Sequence, residues 1–191
     1  MSVRTASNRE DALAAARTIG YPVVLKTAMD GIHHKSDVGG VKLGLAEDAA
    51  LAAAYDDLAQ RLGPRVLVAP MAASGVEMVL GVTRDDQFGP LVMVGAGGVL
   101  VEVTADAQAA LPPMDAATAR RMIDRLRLRP LLDGVRGAAP ADIGAVAEAA
   151  ARLSVLAATL GDCIVEIDVN PLIAGPQGCM AVDALVIGRT P

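Results

Sequence analysis

The sequence has very few aromatic side chains. They make up 2% of its residues, as Tyr21, Tyr55 and Phe88, and there is no tryptophan. Proteins that bind single-stranded nucleic acid usually stack bases on aromatic rings, so this scarcity argues against that kind of binding. Basic residues are also too few for a nucleic-acid surface, because 17 of them stand against 22 acidic residues and the net charge is −5. We therefore expect no nucleic-acid partner.

Cysteine and long apolar runs are scarce as well. Cys163 and Cys179 lie in stretches with the pattern of buried strands, and their spacing matches no metal motif. Glycine, proline or a charged residue interrupts every apolar run before the roughly 20 residues that span a bilayer. No leader of basic and then apolar residues follows Met1. These absences predict a cytoplasmic protein with reduced thiols and no membrane partner.

Aliphatic residues are abundant, and their pattern predicts the fold class. Of 191 residues, 53% are hydrophobic, and this length suits one ordinary domain or two small lobes. Apolar periodicity predicts helices at 11–19, 48–62, 116–126 and 142–160, and strands at 23–26, 41–45, 66–68, 77–83, 91–95, 99–103, 164–169 and 180–186. The predicted class is α+β. A boundary near Gly63 would separate a small α/β lobe, residues 1–65, from a larger lobe, residues 66–191.

Both histidines of the protein, His33 and His34, lie in one polar, turn-rich segment that continues with Lys35, Ser36 and Asp37. These side chains are compatible with metal binding, general-base catalysis or nucleophilic catalysis by an imidazole. Neighbouring side chains of an extended segment point to opposite sides, so one histidine at most would face a given site. This geometry weakens the metal hypothesis. A solvated polar loop is the remaining alternative.

Two further features could bind a phosphate group. Lys26 ends a predicted apolar strand, where its ammonium could meet a phosphate as a compact point charge or extend to the surface. Residues 95–98 form a glycine-rich segment between two apolar strands, and its backbone N–H groups could surround an anion. This segment matches neither the dinucleotide-binding fingerprint nor the P-loop, and a tight turn is its alternative interpretation.

Oxygen-bearing side chains are concentrated in the last two predicted strands. Glu166, Asp168 and Asn170 alternate with apolar residues, so they would share one face of a strand. Asp183 is a carboxylate inside an otherwise apolar predicted strand. Oxygen ligands suit a Mg²⁺ ion that bridges nucleotide phosphates. An exposed strand face is the alternative explanation for the alternating residues.

Seven segments of the sequence together resemble one protein family. They are residues 20–26, 34–41, 81–90, 95–103, 131–137, 168–172 and 182–184. In that order they resemble the ATP-grasp module of NDP-forming acyl-CoA synthetases, the ADP-forming acetate–CoA ligases, which are related to succinyl-CoA synthetase β chains. The resemblance covers nearly the whole chain. It implies an ATP-grasp fold, in which two α/β lobes clamp a nucleotide.

The resemblance also implies roles for individual residues. Lys26 matches the lysine that binds nucleotide phosphates, and Asn170 and Asp183 match the Mg²⁺ ligands, with Asp168 nearby. His34 matches the histidine that relays a phosphoryl group between ATP and a phosphohistidine of the CoA-binding part. The residues matched to the rest of the nucleotide are Val68, Ala69, Pro70 and Met71 at the adenine, Glu77 at the ribose, and Arg84, Gly97 and Gly98 at the phosphates.

The implied reaction converts an acid, CoA and ATP into acyl-CoA, ADP and phosphate through an acyl phosphate and a phosphorylated histidine. The cofactors would be ATP or ADP and Mg²⁺, with CoA bound by a partner domain. The chain lacks the glycine fingerprint of a CoA-binding domain, so we expect a β-type subunit of a hetero-oligomer, or a domain of a longer chain, that is inactive alone. The alternatives are a non-catalytic regulatory module, as in some protein acetyltransferases, and another ATP-grasp carboxylate ligase.

Overall fold

The computed structural model of the chain describes residues 3–32, 35–98 and 105–189. The chain divides into two compact units, Met1–Met71 and Ala72–Pro191. His33, His34 and the strand predicted at 99–103 lie outside the described residues.

The first unit is a four-stranded antiparallel sheet with two helices on one face. Its strands are β1 (Arg4–Ala6), β2 (Val23–Thr27), β3 (Val41–Leu45) and β4 (Val66–Pro70), and its helices are α1 (Arg9–Ile19) and α2 (Asp48–Leu62). The strand order is β1-β4-β2-β3. The helices bury small and aliphatic side chains against alternate residues of the two central strands, Val23, Leu25, Val66 and Val68.

Local signals set the limits of both helices. The side chain of Asn8 accepts a hydrogen bond from the Asp11 N–H and caps the start of α1, one residue after Ser7, which opens a capping-box pattern in the sequence. Gly20 and Gly63 follow the two helices with φ of 94° and 110°, a conformation that glycine adopts without steric cost. The predicted helix ends at these glycines are therefore confirmed.

The boundary between the units differs from the predicted one. The boundary predicted from the sequence places β4 in the larger lobe, but β4 pairs with β1 and with the whole length of β2 in the first sheet. The first unit consequently ends at Met71 rather than at residue 65. A strand's own sequence does not show which neighbours it pairs with, because the partners are distant in the chain.

The second unit contains one sheet with helices packed on one face. Its described strands are β5 (Val76–Asp85), β6 (Gly89–Ala96), β7 (Ala107–Ala110), β8 (Ile164–Gly175), β9 (Gly178–Ala181) and β10 (Leu185–Gly188). The order is β10-β8-β5-β6-β7, with β9 paired to β8. Its described helices are α3 (Ala116–Asp124), α4 (Arg129–Leu132) and α5 (Ile143–Leu160), and a short 3-10 helix (Gly161–Cys163) follows α5.

Helix α5 is the longest helix of the second unit and packs on its core. Its buried face, which includes Val146, Ala150 and Ala157, lies against apolar residues of β5, β6 and β8. With the 3-10 helix it forms a stretch, Ile143–Cys163, that is long and apolar enough to cross a membrane by length and composition alone. A single helix of this kind is weak evidence for a membrane span, and one face of α5 packs against the sheet.

The prediction of one continuous strand at 180–186 is wrong, because this stretch contains parts of two strands. Residues 178–181 form β9, residues 185–188 form β10, and residues 182–184 between them belong to neither strand. Both strands pair with β8 at different positions along it. Asp183 therefore lies in a half-buried connection and not inside an apolar strand.

Candidate functional site

In the first unit, Lys26 lies on the sheet face opposite the helices. Side chains alternate along β2, so Leu25 packs into the core while Val24 and Lys26 lie on the other face. Lys26 is only 6% exposed. Its cross-strand neighbour is Leu67, and Val24 is paired with Ala69, so Lys26 and Ala69 share this face.

The residues predicted to line an adenine pocket do not all lie on that face. Val68 is fully buried among the core residues, so its side chain is unavailable to a ligand. Ala69 is buried on the opposite face, and Pro70 is half-buried. Met71 is 37% exposed, and its N–H donates to the Pro22 carbonyl at 3.3 Å. Strand alternation thus divides these four residues between two environments.

The described part of the histidine segment begins at Lys35 and returns to the end of β2. The Gly40 N–H donates to the Lys35 carbonyl at 2.7 Å, and the Gly39 N–H donates to Ser36 at 3.0 Å. The Gly40 carbonyl accepts from the Thr27 N–H at 2.8 Å. A side chain at Gly40 would stand 2.7 Å from Thr27 Cγ2, closer than real Cβ atoms come. The turn after His34 is therefore held beside the residue that follows Lys26.

In the second unit, the glycines of a short loop after β6 contact two other predicted site residues, Glu77 and Asn170. The Gly97 N–H donates to the Glu77 carbonyl at 3.0 Å, and the Gly98 N–H donates to Asn170 Oδ1 at 3.0 Å. Gly98 has a φ of +59°, and a Cβ there would collide with the Glu77 carboxylate. A Cβ at Gly97 would collide with the backbone of Met78. The glycines thus allow the loop to pack directly against β5.

This geometry corrects the predicted role of the glycine loop. We expected the N–H groups of Gly97 and Gly98 to be available to an anion, but both donate to protein acceptors. The Gly98 N–H instead orients the Asn170 amide. An amide oxygen has two lone pairs, so Oδ1 can accept from Gly98 and still face a cation.

A β-bulge places Asn170 at this loop. Met78 on β5 pairs with Leu172 on β8, and Leu80 pairs with Val169. One residue separates the paired positions on β5, whereas two residues separate them on β8. The extra residue falls at the Asn170-Pro171 position. Bulges bend a strand and redirect its side chains, and they are common beside functional sites.

The register of β8 also places the predicted carboxylates near Asn170. Asp168 is paired with Gly81 on one side and with Leu185 on the other. The Val182 N–H donates to the Pro171 carbonyl at 3.0 Å, so the chain passes Asn170 as it continues through Asp183. Asp168 and Asp183 are both half-buried. The connection therefore brings Asp183 to the part of β8 that contains Asn170.

The oxygen donors of Asn170, Asp168 and Asp183 suit Mg²⁺ by their chemistry. Within the described part of the chain, no three His, Cys, Asp or Glu side chains form a cluster that could hold a metal ion alone. A Mg²⁺ ion that keeps substrate phosphates and water among its ligands needs only one or two carboxylates from the protein. The residues present fit an ion bound in that way.

Arg84 lies away from these residues. It is near the far end of β5, seven residues from Glu77, which corresponds to about 23 Å along an extended strand. Its guanidinium forms an ion pair with Asp162 and donates to the Gly161 carbonyl at 3.4 Å. These contacts connect β5 to the 3-10 helix, and the structure does not bring Arg84 to the predicted phosphate-side residues of this unit.

Arg61 was not singled out by the sequence, yet it contacts the turn that follows the histidines. It lies in the last turn of α2 and donates to the Val38 and Gly39 carbonyls at 3.1 and 3.2 Å. The hydrogen bonds that Arg61 donates to Asp57 raise the pKa of Arg61, and those that Asp57 accepts from Arg61 and Lys42 lower the pKa of Asp57. The only sequence signal was an acid four residues before a base, which is common on helices.

Comparison with known proteins identifies the fold that carries these residues. A family model described as an ATP-grasp domain matches residues 1–187. A trans-feruloyl-CoA synthase from an unknown prokaryotic organism is 40% identical over 95% of the chain, which spans 27% of that protein's length. The β subunit of an ADP-forming acetate–CoA ligase I from Pyrococcus furiosus is 36% identical over 96% of the chain and 82% of the subunit.

A solved structure agrees with both results. The dinucleotide-forming acetyl-coenzyme A synthetase 1 of Ca. Korarchaeum cryptofilum superimposes with a TM-score of 0.85 and 39% identity, over 98% of this chain and 84% of that one. That structure holds coenzyme A and Mg-AMPPCP, with a phosphohistidine segment pointing towards the nucleotide-binding site. The expected α+β ATP-grasp fold is confirmed. The chain belongs to the ATP-grasp domain family represented by the β subunits of ADP-forming acetate–CoA ligases.

Proposed function

We propose that the chain is the nucleotide-binding and phosphoryl-transfer part of an ADP-forming acyl-CoA synthetase. The observation that supports this most directly is the cluster in which Gly98 orients Asn170 beside Glu77 and the connection through Asp183. The relatives and the solved structure supply the reaction class and the nucleotide. The reaction would convert an acid, CoA and ATP into acyl-CoA, ADP and phosphate.

Each unit would contribute groups that bind charged oxygens. In the first unit, Lys26 offers a compact positive charge to nucleotide phosphates. In the second unit, Asn170 and Asp183, with Asp168 nearby, would hold Mg²⁺, which when bound neutralises charge on the phosphate oxygens. Phosphoryl transfer requires mainly positioning and charge stabilisation, and these residues provide both.

His34 is the proposed phosphoryl carrier. A neutral imidazole nitrogen attacks the γ-phosphorus, the bond to the bridging oxygen breaks, and ADP leaves with that electron pair. A histidine of the partner would then attack this phosphorus, the bond to His34 would break, and the partner histidine would become the phosphohistidine while His34 returns to its neutral form. Asp37 lies three residues further along the chain and could fix the imidazole tautomer.

A CoA-binding partner, in the same polypeptide or in a second subunit, is part of the proposal. The chain spans 27% of the length of the feruloyl-CoA synthase, so that relative has additional regions. The two relatives are named for different acids, feruloyl and acetate, so we propose the reaction class without a particular acid. We propose that the enzyme acts in the cytoplasm, where soluble metabolic ligases work.

Nucleotide binding is testable with the chain itself. Titration calorimetry with Mg-ATP should show weaker binding for Lys26→Met and for Asp183→Asn, by about 10-fold or more, because each loses a charge-assisted contact. Asp86→Asn, an exposed residue of the turn between β5 and β6, is the matched control and should bind like the unsubstituted chain. Affinity that is unchanged in both site variants would contradict the assignment.

The phosphoryl relay requires the full-length protein or its complex with the CoA-binding partner. Incubation with γ-labelled ATP and Mg²⁺ should give acid-labile, base-stable label on histidine. His34→Ala should abolish transfer, and His33→Ala, the adjacent control, should retain it. Label that is undiminished by His34→Ala would refute the relay. Tight nucleotide binding without any label would instead support the non-catalytic regulatory module.

A further inference from the structure

The turn that follows the histidines is bonded to one side chain of helix α2. The guanidinium of Arg61 donates through Nη1 to the Val38 carbonyl at 3.1 Å and through Nη2 to the Gly39 carbonyl at 3.2 Å. The same guanidinium donates through Nε and Nη2 to the two carboxylate oxygens of Asp57, both at 2.9 Å. Arg61 therefore joins the turn to the helix with two hydrogen bonds and is itself held on the helix by two more.

The orientation of Arg61 is itself fixed. Asp57, one helical turn earlier, binds it in a bidentate manner, which adds geometric specificity to the attraction. Lys42 Nζ, on β3, lies 2.8 Å from Asp57 Oδ2 and so fixes the carboxylate. Lysine in place of Arg61 would keep the charge but could not reproduce the planar fork that reaches both carbonyls and the carboxylate.

The turn has little room to adopt another arrangement. Gly39 has a φ of +61°, and the position of Gly40 against Thr27 excludes a side chain. Hydrogen bonds from the Gly39 and Gly40 N–H groups close the turn, and the Thr27 N–H ties it to β2. Arg61 binds two carbonyl groups of this same turn, so helix α2 and strand β2 hold it from two directions.

We propose that Arg61 is a positioning residue for the phosphoryl relay. It fixes residues 35–40, which follow His34 directly in the chain and return to the end of β2 that carries Lys26. This inference rests on the proposed function of His34. Displacement of a reacting group by about 1 Å can cost on the order of 100-fold in rate, so the loss of such an anchor should slow transfer strongly.

The first test measures the turn directly in the isolated chain. Hydrogen exchange should be faster at the Gly39 and Gly40 amides in Arg61→Ala, because their hydrogen bonds open more often. Arg152→Ala is the matched control, since Arg152 is paired with the acid four residues before it, Glu148, and has the same helical geometry. Exchange in Arg61→Ala that equals the control would overturn the anchoring role.

The second test measures transfer in the full-length protein or complex. Arg61→Ala should form phosphohistidine about 10- to 100-fold more slowly in rapid-quench experiments, while its affinity for Mg-ATP stays within about twofold of the unsubstituted protein. Arg61→Lys should also be slow, because it retains charge without the fork. Asp57 keeps its Lys42 partner in both variants, so we expect them to fold.

The possible outcomes distinguish a failure of the positioning role of Arg61 from a failure of the proposed phosphoryl-transfer function. If the unsubstituted protein forms no phosphohistidine, the proposed function is wrong and the inference falls with it. If that protein is labelled and Arg61→Ala is labelled equally fast, only the positioning role is overturned. A decrease that Arg152→Ala shares, or one that comes with a matching loss of nucleotide affinity, would indicate a structural effect and would also overturn it.

Discussion

Gly97→Ala is the substitution with the most direct structural consequence in the second unit. A Cβ at this position would lie 2.8 Å from Met78 Cα and closer still to its carbonyl carbon and oxygen. Ordinary contact begins at 3.4 Å, so the loop would have to move away. Met78 cannot yield, because it is fully buried in the core and its backbone is paired on both sides in the sheet.

The expected cost follows from these contacts. Overpacking against a well-packed neighbour costs about 1 to 3 kcal/mol, and the hydrogen bond from the Gly97 N–H to Glu77 contributes about 1 kcal/mol. We therefore expect the free energy of unfolding to fall by about 2 to 4 kcal/mol. For a unit of about 120 residues this corresponds to a Tm lower by roughly 10 °C.

Differential scanning calorimetry and calorimetric titration would measure the two consequences. The displaced loop carries Gly98, so Asn170 should lose its hydrogen-bond donor and nucleotide affinity should decrease together with Tm. Gly81→Ala on β5, the strand that contains Met78, is the matched control, because a Cβ there would meet Ile167 O at an ordinary 3.5 Å. That variant should be neutral or more stable by about 0.5 to 1 kcal/mol.

A Gly97→Ala protein that melts and binds nucleotide like the Gly81→Ala control would refute this reasoning. It would mean that the loop has room for a side chain. The close packing of the loop against β5 would then not be what positions Asn170.

Two further predictions concern parts of the fold outside the site. Ser154 is fully buried, and its hydroxyl accepts from the Met114 N–H at 3.0 Å, so Ser154→Ala should lower the free energy of unfolding in urea by about 1 to 3 kcal/mol, whereas the exposed Thr159→Ala should change it little. Burial and the hydrogen bond to Asp48 raise the pKa of Tyr21 to about 12. Because the folded pKa lies above the unfolded value of 10.0, this contribution to stability is complete below pH 10 and is lost as pH rises towards 12. Ultraviolet titration, undisturbed by tryptophan, should show ionisation of Tyr21 shifting back towards pH 10 in urea; an unshifted transition would contradict the assignment.

Much of the secondary structure was predictable because its signals are local. Gly20 and Gly63 follow the two helices of the first unit, where a glycine is expected. Asp48, which could have capped the second helix, is instead its first residue, and among the described residues no side chain caps that helix. The apolar run before Lys26 also predicted a strand that ends near this lysine, and β2 ends one residue after it. The order of seven motifs was sufficient for the family, since each one needs particular residues at particular distances along the chain.

Other features depended on contacts between distant residues and could not be derived in this way. Whether β4 belongs to the first or the second sheet is decided by pairing with β2, and the side chain of Val68 enters the core for that reason. Similarly, Asp183 lies in a connection because β9 and β10 pair with separate parts of β8.

The sequence by itself determined the residue types of the site, and the tertiary structure decided what each one can do. Asn170 reaches the glycine loop because a bulge in β8 shifts it relative to β5, which no local pattern indicates. The N–H groups of Gly97 and Gly98 have protein acceptors that only the fold supplies. Arg61 contacts the turn only because the fold brings the Gly39 and Val38 carbonyls, 22 and 23 residues earlier in the chain, next to α2. Residue chemistry is local information, whereas hydrogen-bond partners and distances depend on how remote segments pack.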